Sequence, residues 1–348
     1  MKSRFKKYSY NILKNKTIFL TGATGTFGSY FLKKLLTKTK IKKIICFSRD
    51  ELKQFNLMQD PIVKKHQNRV RFFIGDVRDE KRLDLSMQHN NVDILIHCAA
   101  LKQVPAVEYN PFEAIQTNIL GAQNVILSAQ KNKVKKVIAL STDKASSPHN
   151  LYGATKLVSD KIFINSNLYS KYTISSVVRY GNVLNSRGSI IPFYSELVKK
   201  NLPLLVTDKK MTRFSISIDE AVNFVILSLH LMRGGEIFVP KIPSYNIMDL
   251  IKSFKKNNNF KITGIRPGEK INEDLISVHD SRQTYEAKDH FIILPEDKSF
   301  EINLKDYLSK KPYYKKVKKD FYYSSGSNDH FYTQKELDLI VEKEIKKN

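Results

Sequence analysis

The sequence predicts an α/β fold: a doubly wound parallel sheet with a smaller C-terminal lobe. Three observations predict it. Short apolar runs alternate with helical segments through the first half, a glycine turn follows the first run, and the later elements become shorter and less regular. Thr17 to Thr21 (TIFLT) reads as the first strand and Phe27 to Leu36 as the helix after it. Lys43 to Ser48, Val70 to Asp76 and Asp93 to Ala100 read as the next three strands. Pro111 to Gln130 reads as one long helix, with Pro at its start where a missing N–H does no harm. Lys136 to Thr142 is a fifth strand, Tyr152 to Ser170 a helix and Ile174 to Asn182 a sixth strand. Further on, Ile190 to Lys200, Glu220 to Met232 and Asn246 to Lys256 read as helices, and Ile237 to Val239 and Lys261 to Arg266 as strands. Lys310 to Asp320 reads as an exposed loop, and the tail after it ends in a helix.

Composition narrows the class. A chain of 348 residues exceeds one small core, and 41% hydrophobic with 27% charged residues is an ordinary globular balance, which excludes a disordered or fibrous protein. Two cysteines, Cys46 and Cys98, both in apolar runs, exclude a disulfide or zinc-cluster scaffold, and no metal is expected. Lys and Arg exceed Asp and Glu by 59 to 34, a net charge of +25 that raises the question of a nucleic-acid or anionic-membrane partner. The lysines cluster in the first sixteen residues, at Lys131 to Lys136 and at Lys310 to Lys319, and none of these segments carries a nucleic-acid-binding motif. They read as solvated faces. No apolar stretch reaches the roughly 18 residues of a membrane span; the longest, Ala221 to Met232, is interrupted by Asn223, Ser228 and His230. The basic N-terminus lacks a signal-peptide apolar region, so a cytoplasmic protein is expected.

The first strand runs into Gly22-Ala-Thr-Gly25-Thr26-Phe27-Gly28, a G-x-x-G-x-x-G turn opening a helix. Glycines let the backbone turn sharply and approach a pyrophosphate, whose charge then sits at the helix N-terminus. This spacing is similar to that of the extended branch of the short-chain dehydrogenases/reductases, and it implies a Rossmann-type domain. The second strand ends in Phe47-Ser48-Arg49-Asp50. An acidic residue there suits a ribose 2′-hydroxyl and an arginine suits the 2′-phosphate of NADP. Ser48, Arg49 and Lys53 favour NADP, with Asp50 as the competing observation. Asp76 and Val77 follow the third strand, where this branch holds adenine; the alternative for Asp76 is a helix cap.

Tyr152 and Lys156 lie four apart, on one helix face, after the strand-end Ser141-Thr142. An ammonium at Lys156 can pull the tyrosine pKa down and make Tyr152 a base. Between Thr142 and Tyr152, next to the strand end, stand Asp143 and Lys144. An acid beside a lysine that can lose its proton is equipment for removing water. A salt bridge within the pair is not expected, because neighbouring residues rarely face each other.

With these motifs the chain resembles the inverting UDP-N-acetylglucosamine 4,6-dehydratases of pseudaminic acid biosynthesis. The matching words include FSRDELKQ, GDVRD, AALKQVPAVEYNPFEAIQTN, STDKASSPHNLYGATKLVSDK, VVRYGNV, MTRFSIS and GIRPGEK. They spread from about Thr17 to His330. The N-terminal extension, Asn272-Glu273-Asp274 and Lys310 to Lys319 are expected to be features of this chain's own surface.

The resemblance implies roles for residues. Tyr152 would take the C4 hydroxyl proton, Lys144 would remove the C5 proton and Asp143 would protonate the departing C6 hydroxyl, with Thr142 and Lys156 completing the catalytic set; which of Lys144 and Tyr152 handles each C5 proton stays open. NADP would be tightly held and recycled, with Ala99 and Lys102 beside it and Lys102 also near the sugar. Lys144, Asn182, the run Ile190-Ile191-Pro192-Phe193, Thr207, Arg213, Arg266 and Glu269 would bind the UDP-sugar; forked guanidinium donors suit a diphosphate. The same resemblance implies a homo-oligomer, a hexamer. The expected organisation is a basic extension over residues 1–16, an NADP-binding domain over 17–183 that includes the catalytic residues, and a mainly substrate-binding lobe over 184–348 with segments returning to the first domain. Two rival readings are a retaining dehydratase or 4-epimerase on the same fold, and a basic Rossmann binding protein without activity.

Overall fold

A computed structural model describes Phe5 and residues 9–254, 259–297, 299–300, 308–309 and 313–345. Strands β1 (Thr17–Thr21), β2 (Lys43–Ser48), β3 (Val70–Ile74), β4 (Ile94–His97), β5 (Lys136–Thr142) and β6 (Ile174–Tyr180) are parallel, in the order β3-β2-β1-β4-β5-β6. Helices cover both faces, so β1 is buried along its whole length, as its unbroken apolar run requires. The order reverses between β1 and β4, and a crevice opens there at the strands' C-terminal ends.

The chain then leaves and re-enters the sheet. β7 (Asn182–Val183), β8 (Leu204–Val206) and β9 (Thr212–Ile216) lie outside it, whereas β10 (Ile237–Pro240) joins beside β6 in parallel. β11 (Ser244–Asn246), β12 (Phe260–Ile262) and β13 (Asp274–Ile276) again lie outside. β14 (Thr284–Glu286), β15 (His290–Ile293) and β16 (Lys315–Lys316) extend the sheet antiparallel, to ten strands among the described residues. β17 (Tyr323–Ser324) pairs with β13. A second, smaller core, which includes Ile191, Tyr194, Val206, Tyr245 and Leu250, packs with the C-terminal helix Gln334–Ile345.

Several sequence expectations need correction. Of the loop expected over Lys310 to Asp320, the first three residues lie outside the described residues, and the next part forms β16 with Tyr314 and Val317 buried. The long helix from Pro111 breaks into Pro111–Ala114, a π-helical turn Ile115–Leu120 and Gly121–Lys131. The strand expected over Lys261 to Arg266 shortens to β12, and the helix from Asn246 becomes Ile247–Lys252, with its last expected residues, Lys255 and Lys256, outside the described ones. The basic extension is anchored. Phe5 is 1% exposed and packs on Phe224 at 5.0 Å, and the Tyr10 hydroxyl donates to Asn223 at 2.6 Å. These contacts cover part of the apolar helix Ile218–Leu231. No helix among the described residues is long and apolar enough to cross a membrane.

Candidate active site

A cavity of about 1070 Å³ occupies the crevice. Its floor begins with the glycine turn. Gly22 has φ +63° and its missing Cβ would lie 2.8 Å from the Ala99 nitrogen; a Cβ on Gly28 would lie 2.5 Å from the Gly22 oxygen. Gly25 donates to the Gly22 carbonyl at 2.9 Å, and the helix Thr26–Lys38 starts directly after, so its free N–H groups face the cavity. Gly22, Gly25, Thr26, Phe27 and Gly28 all line the wall, and Arg49 and Lys53 stand at its far end. A close-approach backbone cradle at a helix N-terminus fits the pyrophosphate of a nicotinamide dinucleotide.

Asp50 is occupied. It caps the helix Glu51–Met58 by accepting from the Lys53 N–H at 2.9 Å, and it pairs with the Lys53 ammonium at 2.5 Å. Arg49 reaches Asp76 at 3.6 Å. Asp76 itself is no cap: it binds the Arg78 side chain at 2.9 Å, and Asp79 caps the helix Glu80–Met87. Ser48 is buried with its hydroxyl accepting from Gln54, Val77 packs in the core against Gly121, and Ala99 lies behind Gly22. These three and Asp76 are off the cavity wall.

The catalytic set converges in mid-cavity. β5 ends in Thr142, and a single 3-10 turn, Asp143–Ala145, points Lys144 back over Asp143. The Lys144 ammonium lies 3.0 Å from Asp143 Oδ1, contrary to the expectation for chain neighbours, because the tight turn brings both side chains to one side. Thr142 Oγ1 donates to the same carboxylate oxygen at 2.9 Å. Thr142, Lys144, Tyr152 and Lys156 line the wall, while Asp143 is fully buried behind it. Asn150 caps the helix Leu151–Asn165, which carries Tyr152 and Lys156.

Burial pushes the Tyr152 phenol up to about 12; Lys144 and a hydrogen bond with Thr142 pull the other way. Burial lowers the Lys156 pKa, partly offset by Asp160. For Lys144 burial also acts downward, but Asp143 and Glu273 outweigh it and hold the ammonium charged. Burial lowers the pKa of Lys102, whose ammonium donates to the Arg187 carbonyl at 3.2 Å.

Asn182 also lines the cavity, with Ile190, Ile191, Arg213, Arg266 and Glu269 of the C-terminal half. Pro192, Phe193 and Thr207 are off it; Phe193 turns outward and the Thr207 hydroxyl contacts the Met211 sulfur at 2.8 Å. Arg213 is held by the Thr212 and Ile271 carbonyls at 2.7 and 2.9 Å. The turn Arg266-Pro267-Gly268-Glu269 closes on itself through the Glu269 carboxylate. It is tied to the catalytic helix by Asn150, which donates to the Gly268 carbonyl at 2.8 Å.

Three wall or supporting residues were not singled out from the sequence. Tyr245 hydrogen-bonds with Asn182. Asn118, in the π-helical turn, donates to Thr155 at 3.0 Å and bonds both backbone groups of Leu101, fixing the loop that carries Lys102. Glu273, expected at the surface, is 3% exposed and its Oε1 lies 3.3 Å from the Lys144 ammonium. The available signal was the acidic pair Glu273-Asp274 at the opening of a short strand. Among the described residues no cluster could hold a metal.

A glycine-floored dinucleotide crevice joined to a Tyr–Lys helix defines an extended short-chain dehydrogenase/reductase. A family model described as polysaccharide biosynthesis protein matches residues 18–295. An inverting UDP-N-acetylglucosamine 4,6-dehydratase of Campylobacter jejuni is 48% identical over 95% of this chain and 98% of its own length. A UDP-glucose 4-epimerase of Rickettsia canadensis is 41% identical over 80% of this chain and 83% of its own. The X-ray structure of Pen from Bacillus thuringiensis superposes with a TM-score of 0.83 at 36% identity, over 95% of this chain and 99% of that one. The chain belongs to the polysaccharide-biosynthesis family that includes the inverting UDP-N-acetylglucosamine 4,6-dehydratases.

Proposed function

We propose that the protein removes water from UDP-N-acetylglucosamine with inversion at C5, giving UDP-2-acetamido-2,6-dideoxy-β-L-arabino-hex-4-ulose. The observation that carries this reading is the Asp143–Lys144 pair set beside Tyr152 in one cavity. The Gly22–Gly28 turn, Arg49 and Lys53 would hold NADP, which would supply the hydride chemistry, taking a hydride from C4 and giving it back at C6. Tyr152 takes the C4 hydroxyl proton. The resulting ketone acidifies C5–H, whose proton Lys144 removes, while Asp143 protonates the C6 oxygen that leaves as water. Tyr152 gives the proton it took to C5 from the opposite face, which inverts the centre. Arg213 and Arg266 suit the diphosphate.

A 4-epimerase on this fold, the name carried by the rickettsial relative, gives a buried acid and an adjoining lysine nothing to do. The product feeds pseudaminic acid synthesis as its first step, in the cytoplasm, and the enzyme works as a homo-oligomer. Proton NMR of the purified protein with UDP-N-acetylglucosamine in deuterated water tests the reading without added cofactor. A new C6 methyl signal, deuterium at C5 and inverted ring couplings are expected. An unchanged spectrum, with NADP also added, would overturn it.

A further inference from the structure

We propose that Glu273 is a positioning residue for Lys144, the second carboxylate that aims the amine at the C5 proton. The inference rests on the dehydratase reading above. Glu273 belongs to the second lobe, yet it enters the first lobe's catalytic centre: its Oε1 lies 3.3 Å from the Lys144 ammonium and 4.0 Å from Arg213 Nε. Its backbone is clamped on both sides, accepting Ser325 N–H at 2.8 Å and donating to Ser325 Oγ at 2.9 Å. β13, which begins at the next residue, is tied to β6, since Arg179 donates to the Leu275 carbonyl at 3.3 Å. The carboxylate therefore has little freedom. Its second oxygen, Oε2, is buried without a partner, as is Asp143 Oδ2. A buried carboxylate oxygen without a donor is costly, and such cost at a site is a mark of function rather than of packing.

The chemistry gives the carboxylate its task. Elimination needs Lys144 as an amine and Asp143 as an acid. One proton passing from the ammonium to Asp143 across their 3.0 Å contact produces both, with no change in net charge. Glu273 then accepts an N–H from the neutral amine, which directs the nitrogen lone pair into the cavity both residues line. The lone pair takes the C5 proton, the C–H electrons form the C5–C6 double bond, and the C6–O electrons leave with an oxygen that Asp143 protonates. The ammonium that forms is again beside Glu273, which stabilises it as the proton arrives. The ammonium and the carboxylate left by the step are the ion pair it began from, so the pair is reset.

Glu273→Gln keeps the shape and removes the charge; Glu273→Asp keeps the charge and shortens the reach. For Glu273→Gln, kcat should fall about tenfold or more, a part of what general base catalysis supplies, with KM for the sugar nucleotide nearly unchanged. An amine with one anion fewer is less basic, so the limb of the kcat profile that rises with pH should move to lower pH. Glu273→Asp should recover part of kcat and restore the limb. Thermal midpoint and retained cofactor serve as controls. An unmoved limb in Glu273→Gln, whether kcat is unchanged or falls only in step with the thermal midpoint, overturns the inference. A parent enzyme without turnover on UDP-N-acetylglucosamine sinks the dehydratase reading instead, and this role for Glu273 with it.

Discussion

The Lys144 ammonium sits 3.0 Å from the carboxylate of Asp143, its own chain neighbour, because a single 3-10 turn ends β5 there. Lys144 is held between that carboxylate and Glu273, both almost fully buried. Lys144→Ala should abolish product, a loss of at least about 10²-fold for a missing general base, while the glycine turn still retains cofactor. It also leaves Asp143 buried without its ion partner and Glu273 with only Arg213, at 4.0 Å, a destabilisation of about 3–5 kcal/mol. Thermal midpoints of parent and variant check it.

Asp50 decides between two accounts of the cofactor pocket. As the N-cap of Glu51–Met58 it is spent on a backbone N–H and on Lys53. Asp50→Ala should lower stability through the lost helix cap and leave the preference between NADP and NAD nearly unchanged. Arg49→Ala should weaken NADP far more than NAD, since only the former carries the 2′-phosphate. Dinucleotide titrations of the cofactor-stripped protein measure both.

The sequence resolved what local pattern determines. β1, β2 and β5 have the predicted bounds because each is an apolar run closed by turn chemistry, and the glycine turn and Tyr152–Lys156 sit where spacing put them. The π-helical turn at Ile115–Leu120 was hidden because its residues keep a helical composition; the change is one of hydrogen-bond register, which Asn118 exploits. Glu273 was hidden for another reason. Its partner Lys144 is distant in sequence, and only the crossing of β13 beneath the catalytic turn brings the two charges together.

Acid should destabilise the fold partly through His97. The ring is 1% exposed, and burial, with Lys156 adding to it, pulls its pKa down to about 3. Thr21 Oγ1 accepts from the Cys98 and Ala99 N–H groups, so its hydroxyl proton goes to His97 Nδ1, at 2.8 Å. The folded pKa is below the unfolded one, so this contribution is present above the unfolded value, about 6.5, and is lost as pH falls toward 3. His97→Leu lowers stability at neutral pH by leaving the Thr21 hydroxyl unpaired. It should nonetheless flatten the slope of stability against pH between those limits, as denaturant titrations at stepped pH would show. An unchanged slope would mean that the ring does not stay neutral.

Gly22 carries the sharpest backbone constraint of the cofactor floor. Its φ of +63° is the left-handed region, where an alanine costs about 1–2 kcal/mol. A Cβ there would also meet the Ala99 nitrogen at 2.8 Å and the Cys98 carbonyl carbon at 2.9 Å, backbone atoms of the strand-end loop that cannot swing aside. Relief requires the turn to lift away from β4, and that displaces the N–H groups at the start of Thr26–Lys38 from the pyrophosphate position. Gly22→Ala should therefore lose cofactor on purification and melt at a lower temperature, with the remaining activity recovered only by a large excess of added NADP. Gly264 offers the control: its φ is +83° but nothing lies within 4 Å of a Cβ, so Gly264→Ala should show the conformational cost alone and keep its cofactor.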